Sequence, residues 1–240
     1  MGTEVDEEII REEIKKNGNT NLITDSGLNT GAQIFAVGDS HTIFFYNSMK
    51  IKEHWAWAGR IPATMYTLLK FDDLDQVGTL LGNGHEKYNI KSGDFVMFFY
   101  GYNDMLRIKQ FAKSDILSEI SDLVTHYIDK IVYFRDRFKI IPLIMSIYPN
   151  PINCATMNTC GSEEEKILYV SHANQILQKL SAINKLLYMD MYNFIADEKG
   201  LIKAEYTADK IHLDYNNKFL RKTVDQMVID ECLKWISNTS

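Results

Sequence analysis

The chain alternates between short runs of consecutive apolar residues and longer stretches of mixed polarity. The apolar runs occupy residues 33–37, 95–100, 140–148 and 186–191. Continuous apolar runs of this length are typical of strands in a parallel sheet that is buried on both faces. The pattern therefore predicts strands at these positions.

The stretches between the runs carry Ile, Leu, Val and Tyr at every third or fourth position, which is the spacing of an amphipathic helix. The clearest of these predicted helices cover residues 114–138, 162–185 and about 217–236. Ser162 followed by Glu165 predicts a capping box at the start of the second helix. Strands that alternate with helices predict an α/β fold, a three-layer α/β/α sandwich with a mostly parallel sheet of about five strands.

The first part of the chain differs in character from the rest. Residues 5–16 have helix-like apolar spacing, and residues 17–31 are rich in Asn, Gly, Thr and Ser, which favour turns. We therefore divide the chain into an N-terminal helix and linker, residues 1–31, and one main domain, residues 32–240. A domain of this size buries a single substantial core.

Composition narrows the class of partner. The 240 residues carry a formal net charge of -6, which does not favour the broad positive surface that nucleic acid requires. No apolar stretch reaches the roughly 20 residues that span a bilayer, and the acidic N-terminus does not resemble a secretion signal. The three cysteines follow no zinc or disulfide spacing. We therefore expect a cytoplasmic protein with no nucleic-acid or membrane partner.

A candidate nucleophile, Ser40, follows the first predicted strand in the sequence Val-Gly-Asp-Ser-His at residues 37–41. The amphipathic stretch at residues 41–50 predicts a helix directly after it. This order places the serine hydroxyl at the carboxyl edge of the sheet, where ligands bind in open α/β folds. A serine in this place is also a common helix cap, and on these residues alone both interpretations stay open.

Asp209 and His212 are separated by two residues near the end of the chain. This spacing allows the carboxylate to orient the imidazole, which can then take a proton from Ser40. A solvated loop histidine is the alternative interpretation.

Hydrogen-bond donors are predicted at the same edge of the sheet. Asn103 follows the second predicted strand in the sequence Gly-Tyr-Asn-Asp at residues 101–104, and Gly59 lies in a loop before the next helix. With the backbone amide of Ser40, these groups are candidates for an oxyanion hole, which stabilises the charge of a tetrahedral intermediate. Gly59 is equally well explained as a turn glycine.

These blocks and their order resemble the SGNH/GDSL hydrolase superfamily, over a span from Ile34 to about His212. The resemblance implies a flavodoxin-like α/β/α fold and a serine esterase that needs no cofactor and no metal. It also implies a role for each residue: nucleophile for Ser40, base for His212, orienting acid for Asp209, and oxyanion donors for Ser40, Gly59 and Asn103.

His41 stands where many members of the superfamily have leucine. Together with the sequence His-Trp-Ala-Trp-Ala-Gly-Arg-Ile-Pro-Ala-Thr-Met at residues 54–65, it resembles a subgroup associated with glycan modification. The resemblance implies an acyl ester, in particular an O-acetyl ester, of a sugar or glycan as substrate. The residues assigned to the substrate site are Asp39, His41, Trp57, Arg60 and Tyr102. Trp55 and Tyr100 are further candidates, although aromatic residues in such places more often belong to the core.

Three other functions remain open at this point. A sugar O-acyltransferase would use the same triad, and a non-catalytic glycan-binding module would keep only the fold. A metallophosphoesterase-like hydrolase is suggested by Asp39-Ser-His41 and by Gly-Asn-Gly-His-Glu at residues 82–86. Gly84 interrupts that second block, and the remaining ligand blocks are missing. The oligomeric state is left open.

Overall fold

The computed structural model of the protein describes residues 32–45, 50–53, 64–72, 90–151, 160–207 and 209–239. Its centre is a five-stranded sheet in which every pairing is parallel. The strands are β1 (Ile34–Gly38), β2 (Lys50–Glu53), β3 (Phe95–Phe99), β4 (Ile141–Met145) and β5 (Leu187–Met189). Their order across the sheet is β2-β1-β3-β4-β5, which is a flavodoxin-like order. The predicted α/β class is confirmed.

Helices connect the strands and cover the sheet. They are α1 (Met65–Leu68), α2 (Tyr102–Phe111), α3 (Ile116–Phe138), α4 (Glu163–Ile183), α5 (Tyr192–Ile195) and α6 (Lys218–Thr239), with 3-10 helices at Ser40–Phe45 and Ala204–Tyr206. Helix α3 packs against α1, α2 and α4, whereas α6 contacts β5 and the first 3-10 helix. None of the helices in the described ranges is long and apolar enough to cross a membrane.

Strands β1, β3 and β4 are apolar because helices cover both faces of the sheet there. Every residue of β3 is buried, and successive side chains of a strand point to opposite faces. Phe95 meets Trp235 of α6 with ring centroids 5.9 Å apart, and Phe99 meets Phe45 of the first 3-10 helix at 5.3 Å. The same face of β3 therefore packs under both elements, and Val96 and Phe98 point to the other face.

Most predicted elements are present. The four apolar runs correspond to β1, β3, β4 and β5, and the three long predicted helices correspond to α3, α4 and α6. The capping box is present, because the Ser162 hydroxyl accepts the Glu165 amide at 3.2 Å and Glu165 Oε2 accepts the Ser162 amide at 2.8 Å. The predicted N-terminal helix and linker, residues 1–31, lie outside the described residues.

The prediction for residues 41–50 is wrong. The 3-10 helix ends at Phe45, and Lys50 already begins β2. Residues Lys50–Glu53 pair in parallel with β1, from Phe35 opposite Lys50 to Gly38 opposite Glu53. The residue predicted to end the helix therefore lies in a strand, because Lys50 pairs with β1 in the sheet.

Candidate active site

Ser40 lies at the carboxyl end of β1, where the chain leaves the sheet. Gly38 is paired with Phe99 of β3, and the Asp39 amide donates to the Phe99 carbonyl oxygen at 3.0 Å. A Cβ atom at position 38 would lie 2.0 Å from this oxygen, so the close approach requires glycine. The 3-10 helix then begins at Ser40 and holds its half-buried side chain at the edge of the sheet.

The three predicted triad residues form a continuous chain of hydrogen bonds. Ser40 Oγ lies 2.9 Å from His212 Nε2. His212 Nδ1 lies 2.6 Å from Asp209 Oδ2. Residues that are 172 positions apart in the sequence therefore meet, and both bonds have the length expected for a nucleophile, its base and the acid that orients the base.

The loop between Thr207 and Leu213 carries both the acid and the base. An isolated antiparallel bridge joins these two residues and closes the loop. Inside it, Asp209 Oδ1 accepts the backbone amides of Ile211 at 2.8 Å and of His212 at 2.7 Å. The loop is thus folded around the Asp209 carboxylate, while the other oxygen of that carboxylate remains directed at the imidazole.

These hydrogen bonds keep Asp209 ionised. Burial alone would raise the pKa of its carboxyl, but the His212 side chain and the amides of His212 and Ile211 outweigh burial and lower the pKa below its ordinary value. An ionised Asp209 makes Nδ1 of His212 the donor, which leaves Nε2 to accept the Ser40 proton. The side chains of His212 and Asp209 are 26% and 38% exposed, so solvent reaches the triad.

Asn103 lies in the first turn of α2, directly beyond β3. Gly101 caps this helix with a φ of 111°, and a Cβ atom there would lie 2.7 Å from side-chain atoms of Ile147 and of Met65. Glycine therefore lets the helix begin at once after the strand. Because β1 and β3 are neighbours, Asn103 and Ser40 lie at the same edge of the sheet, as predicted for an oxyanion donor and a nucleophile.

Four predicted residues of the site lie outside the described residues. They are Trp55, Trp57, Gly59 and Arg60. The oxyanion role of Gly59 and the substrate contacts of Trp57 and Arg60 therefore stay predictions.

The predicted substrate residues His41 and Tyr102 lie together beside the triad. The centroid of the buried His41 ring is 4.4 Å from that of Tyr102, 5.0 Å from that of His212 and 5.1 Å from that of Tyr148. Sequence analysis did not assign Tyr148 to the site. Its place at the end of a predicted strand was visible in the apolar pattern, but its contact with His41 depends on the order of the strands.

Asp39 differs from Asp209 in its surroundings. Its carboxyl is buried, and among the described residues it accepts one hydrogen bond, from the His41 amide to Oδ1 at 3.0 Å. Burial raises the pKa of Asp39 to about 7, although the His41 amide and the charge of His212 act in the opposite direction. Asp39 and His41 line a small pocket beside the triad, together with Tyr100, Tyr102 and Tyr148.

We expect Asp39→Asn to stabilise the protein at neutral and basic pH, and to leave its stability unchanged at acidic pH. The unfolded carboxyl ionises at its ordinary pKa of 3.8, whereas the folded one keeps its proton up to about pH 7. Wild-type stability therefore falls as the pH rises through this window, and the asparagine variant has no such loss. At about 1.4 kcal/mol for each pH unit, the variant should gain about 4 kcal/mol in the free energy of unfolding.

Urea unfolding at about pH 4 and about pH 8 measures this difference. A matched control is Asp136→Asn, because Asp136 is an exposed carboxyl whose pKa is lowered by its hydrogen bond to Arg135. Relative to wild type, that variant should not become more stable as the pH rises from about 4 to about 8. If Asp39→Asn gained the same free energy of unfolding at both pH values, the burial argument would be contradicted.

A second buried carboxyl, Asp104, was not assigned a role from the sequence. Its Oδ2 accepts the Met65 amide at 2.8 Å, which ties the start of α1 to the start of α2. Burial raises the pKa of Asp104 to about 6, against the lowering effect of the amides of Met65 and Tyr66. Asp104 therefore fixes the position of the helix turn that carries Asn103.

No cluster of three His, Cys, Asp or Glu side chains that would suit a metal ion occurs in the described ranges. The block at residues 82–86 lies outside those ranges. In Asp39-Ser-His41, one carboxylate oxygen accepts the amide of His41, which is the role of a turn-capping residue.

The sequence matches no protein-family model and no curated protein, but solved structures match its fold. A candidate acylhydrolase from Bacteroides fragilis has a TM-score of 0.56 at 14% identity, over 92% of this chain and 94% of that one. A GDSL-like lipase from Bacteroides thetaiotaomicron has a TM-score of 0.54 at 13% identity, over 92% and 97%. A candidate platelet activating factor from Streptococcus pneumonia has a TM-score of 0.52 at 15% identity, over 95% and 91%. The chain therefore has the fold of the SGNH/GDSL hydrolases.

Proposed function

We propose that this protein is a serine-dependent ester hydrolase of the SGNH type that works through an acyl-enzyme intermediate. One observation carries the proposal. Ser40, His212 and Asp209 are joined by hydrogen bonds of 2.9 Å and 2.6 Å at the carboxyl edge of the sheet. A buried or capping serine has no need of an imidazole that is itself oriented by an ionised carboxylate, whereas a nucleophile does.

The reaction follows from the roles of these atoms. Ser40 Oγ attacks the ester carbonyl carbon while its proton passes to His212 Nε2. The tetrahedral intermediate then expels the alcohol, which takes the proton from Nε2, and leaves the acyl group on Ser40. Water attacks this acyl-enzyme, again giving a proton to Nε2, and the acid product departs as Oγ regains its proton. Asp209 stays ionised throughout and stabilises the imidazolium.

The negative oxygen of the intermediate requires hydrogen-bond donors. We assign this role to the backbone amide of Ser40 and the side-chain amide of Asn103, and we keep Gly59 as the third donor. Support comes from the parallel pairing of β1 and β3, which puts the first two groups just beyond adjacent strand ends.

For the substrate we propose a short acyl ester, in particular an O-acetyl ester, of a carbohydrate. Two features support this choice. His41 and the Trp-Ala-Trp-Ala-Gly-Arg sequence at residues 55–60 resemble a subgroup associated with glycan modification. In addition, the rings of His41, Tyr102 and Tyr148 pack together next to the triad, which favours a small acyl group over a long chain.

A fluorophosphonate probe tests the nucleophile without knowledge of the natural substrate. We expect intact-mass analysis and peptide mapping to find one adduct, on Ser40, and no adduct in His212→Ala. The chain contains a matched internal control, because Ser121 Oγ lies 3.0 Å from His172 Nε2. Among the described residues no carboxylate is hydrogen-bonded to that ring, so Ser121 should remain unlabelled.

Labelling of Ser121 in place of Ser40, or no labelling of folded protein, would reject the serine mechanism. Incubation with acetylated sugars then separates two outcomes of the same acyl-enzyme. Release of acetate supports the hydrolase, whereas transfer of the acetyl group to an added sugar would make the protein an O-acyltransferase.

A further inference from the structure

A cluster of buried polar groups lies beside the triad and takes no part in it. Asp39 is buried, and its Oδ1 accepts the His41 amide at 3.0 Å. The Tyr148 hydroxyl and His41 Nδ1 are also buried, and neither has a hydrogen-bond partner in the described ranges. Leaving such groups unpaired in the interior is costly, which points to a function for the cluster.

The cluster lies directly against the base of the triad. The His41 ring packs on the ring of His212, and Asp39 is the residue before the nucleophile. The charge of His212 acts on the ionisation of Asp39. The same attraction stabilises a positive charge that forms on the His212 ring during a reaction when Asp39 is negative.

We propose that Asp39 is a positioning residue for the reaction, a second carboxyl whose negative charge acts through His212 and makes the rate depend on pH. The inference rests on the proposed function. When His212 Nε2 takes the proton of Ser40 Oγ, a positive charge forms close to a buried carboxylate, and the attraction lowers the barrier. No proton moves to Asp39 in this step. The protein with a protonated Asp39 still reacts, but more slowly.

Asp39 is the group in this cluster that switches charge at neutral pH. The titratable groups facing it are His41, Tyr100, Asp104, Tyr127, Tyr148 and His212. Burial lowers the pKa of His41 and raises the pKa of the three tyrosines, so all four stay neutral. Asp104 ionises at lower pH, and its negative charge raises the pKa of Asp39.

The test is the rate of fluorophosphonate labelling of Ser40 from about pH 5 to about pH 9, in wild type, Asp39→Asn and Asp104→Asn. In wild type the rise of the rate with pH should include the ionisation of Asp39. In Asp39→Asn this ionisation should be missing from the profile, and the rate at about pH 8 should be about tenfold lower. Asparagine still accepts the His41 amide, so the turn is kept. In Asp104→Asn the Asp39 ionisation should remain and move to lower pH.

Each outcome is decisive. If the labelling rate of Asp39→Asn is lower by the same factor at every pH, so that its pH profile keeps the wild-type shape, Asp39 is only structural and the inference is overturned. An unchanged rate in that variant overturns it as well. If wild-type Ser40 does not react at any pH, the proposed function fails, and the inference fails with it. Thermal unfolding of each variant confirms that the compared proteins are folded.

Discussion

Ser40→Ala should lose ester turnover by roughly 10⁴- to 10⁶-fold while the fold remains intact. The side chain is half-buried at the end of β1, and its one hydrogen bond in the described ranges goes to His212. Its removal therefore leaves the core unchanged but removes the atom that forms the acyl-enzyme. Steady-state hydrolysis of an activated acetyl ester measures the loss, and thermal unfolding checks the fold.

The double variant Ser40→Ala with His212→Ala distinguishes a triad from two independent contributions. Residues that act as one unit are strongly non-additive, so the double variant should be about as slow as either single variant. Ser121→Ala removes the other serine that is paired with a histidine and should keep wild-type turnover. Additive losses, or a slow Ser121→Ala with an active Ser40→Ala, would contradict the assignment.

The hydrogen-bonded arrangement of Ser40, His212 and Asp209 was predictable because its local signals are strong. Gly38 must be glycine to let β1 approach Phe99, and this requirement places a small residue directly before the Asp-Ser pair. Asp209 and His212 lie in one closed loop, so their contact depends on short-range geometry. Only the meeting of Ser40 with His212 depends on the whole fold, and there the resemblance to the SGNH/GDSL superfamily supplied the missing information.

Strand β2 was not predicted, because its sequence lacks the run of consecutive apolar residues by which the other strands were recognised. Lys-Ile-Lys-Glu contains three charged residues, and it pairs on one side with β1 alone. Charged residues are usual in edge strands, where they oppose pairing with other chains. The apolar pattern therefore identifies the inner strands and β5, but it does not identify a charged edge strand such as β2.

The surroundings of the carboxyls could not be predicted either, since burial depends on contacts between distant segments. Asp39 directly precedes Ser40 in the sequence, and Asp209 lies three residues before His212. Yet hydrogen bonds lower the pKa of Asp209, whereas burial raises that of Asp39. Two carboxyls with opposite shifts beside one histidine allow two different roles, one permanent and one dependent on pH.

Asp209→Asn should lower turnover by roughly 10²- to 10⁴-fold, less than Ser40→Ala. The asparagine oxygen can still accept the amides of Ile211 and His212, as Asp209 Oδ1 does now. The group that faces His212 Nδ1 then becomes an NH₂ donor. Nδ1 must accept, the ring proton moves to Nε2, and Nε2 can no longer take the proton of Ser40.

Asp214→Asn is the matched control for this effect. Asp214 lies just beyond the same loop, and its carboxylate accepts the Asn216 amide at 2.9 Å. In the described ranges its side chain makes no hydrogen bond to Ser40, Asp209 or His212. Its replacement should leave turnover near that of wild type, and fluorophosphonate labelling of both variants should follow the same order as ester hydrolysis. A full rate for Asp209→Asn would mean that Asp209 only folds the loop and that its charge is not needed to orient the ring. The pair of Ser40 and His212 would then carry the reaction without a permanently charged partner, and the charge of Asp39 would become the principal electrostatic support of the imidazolium.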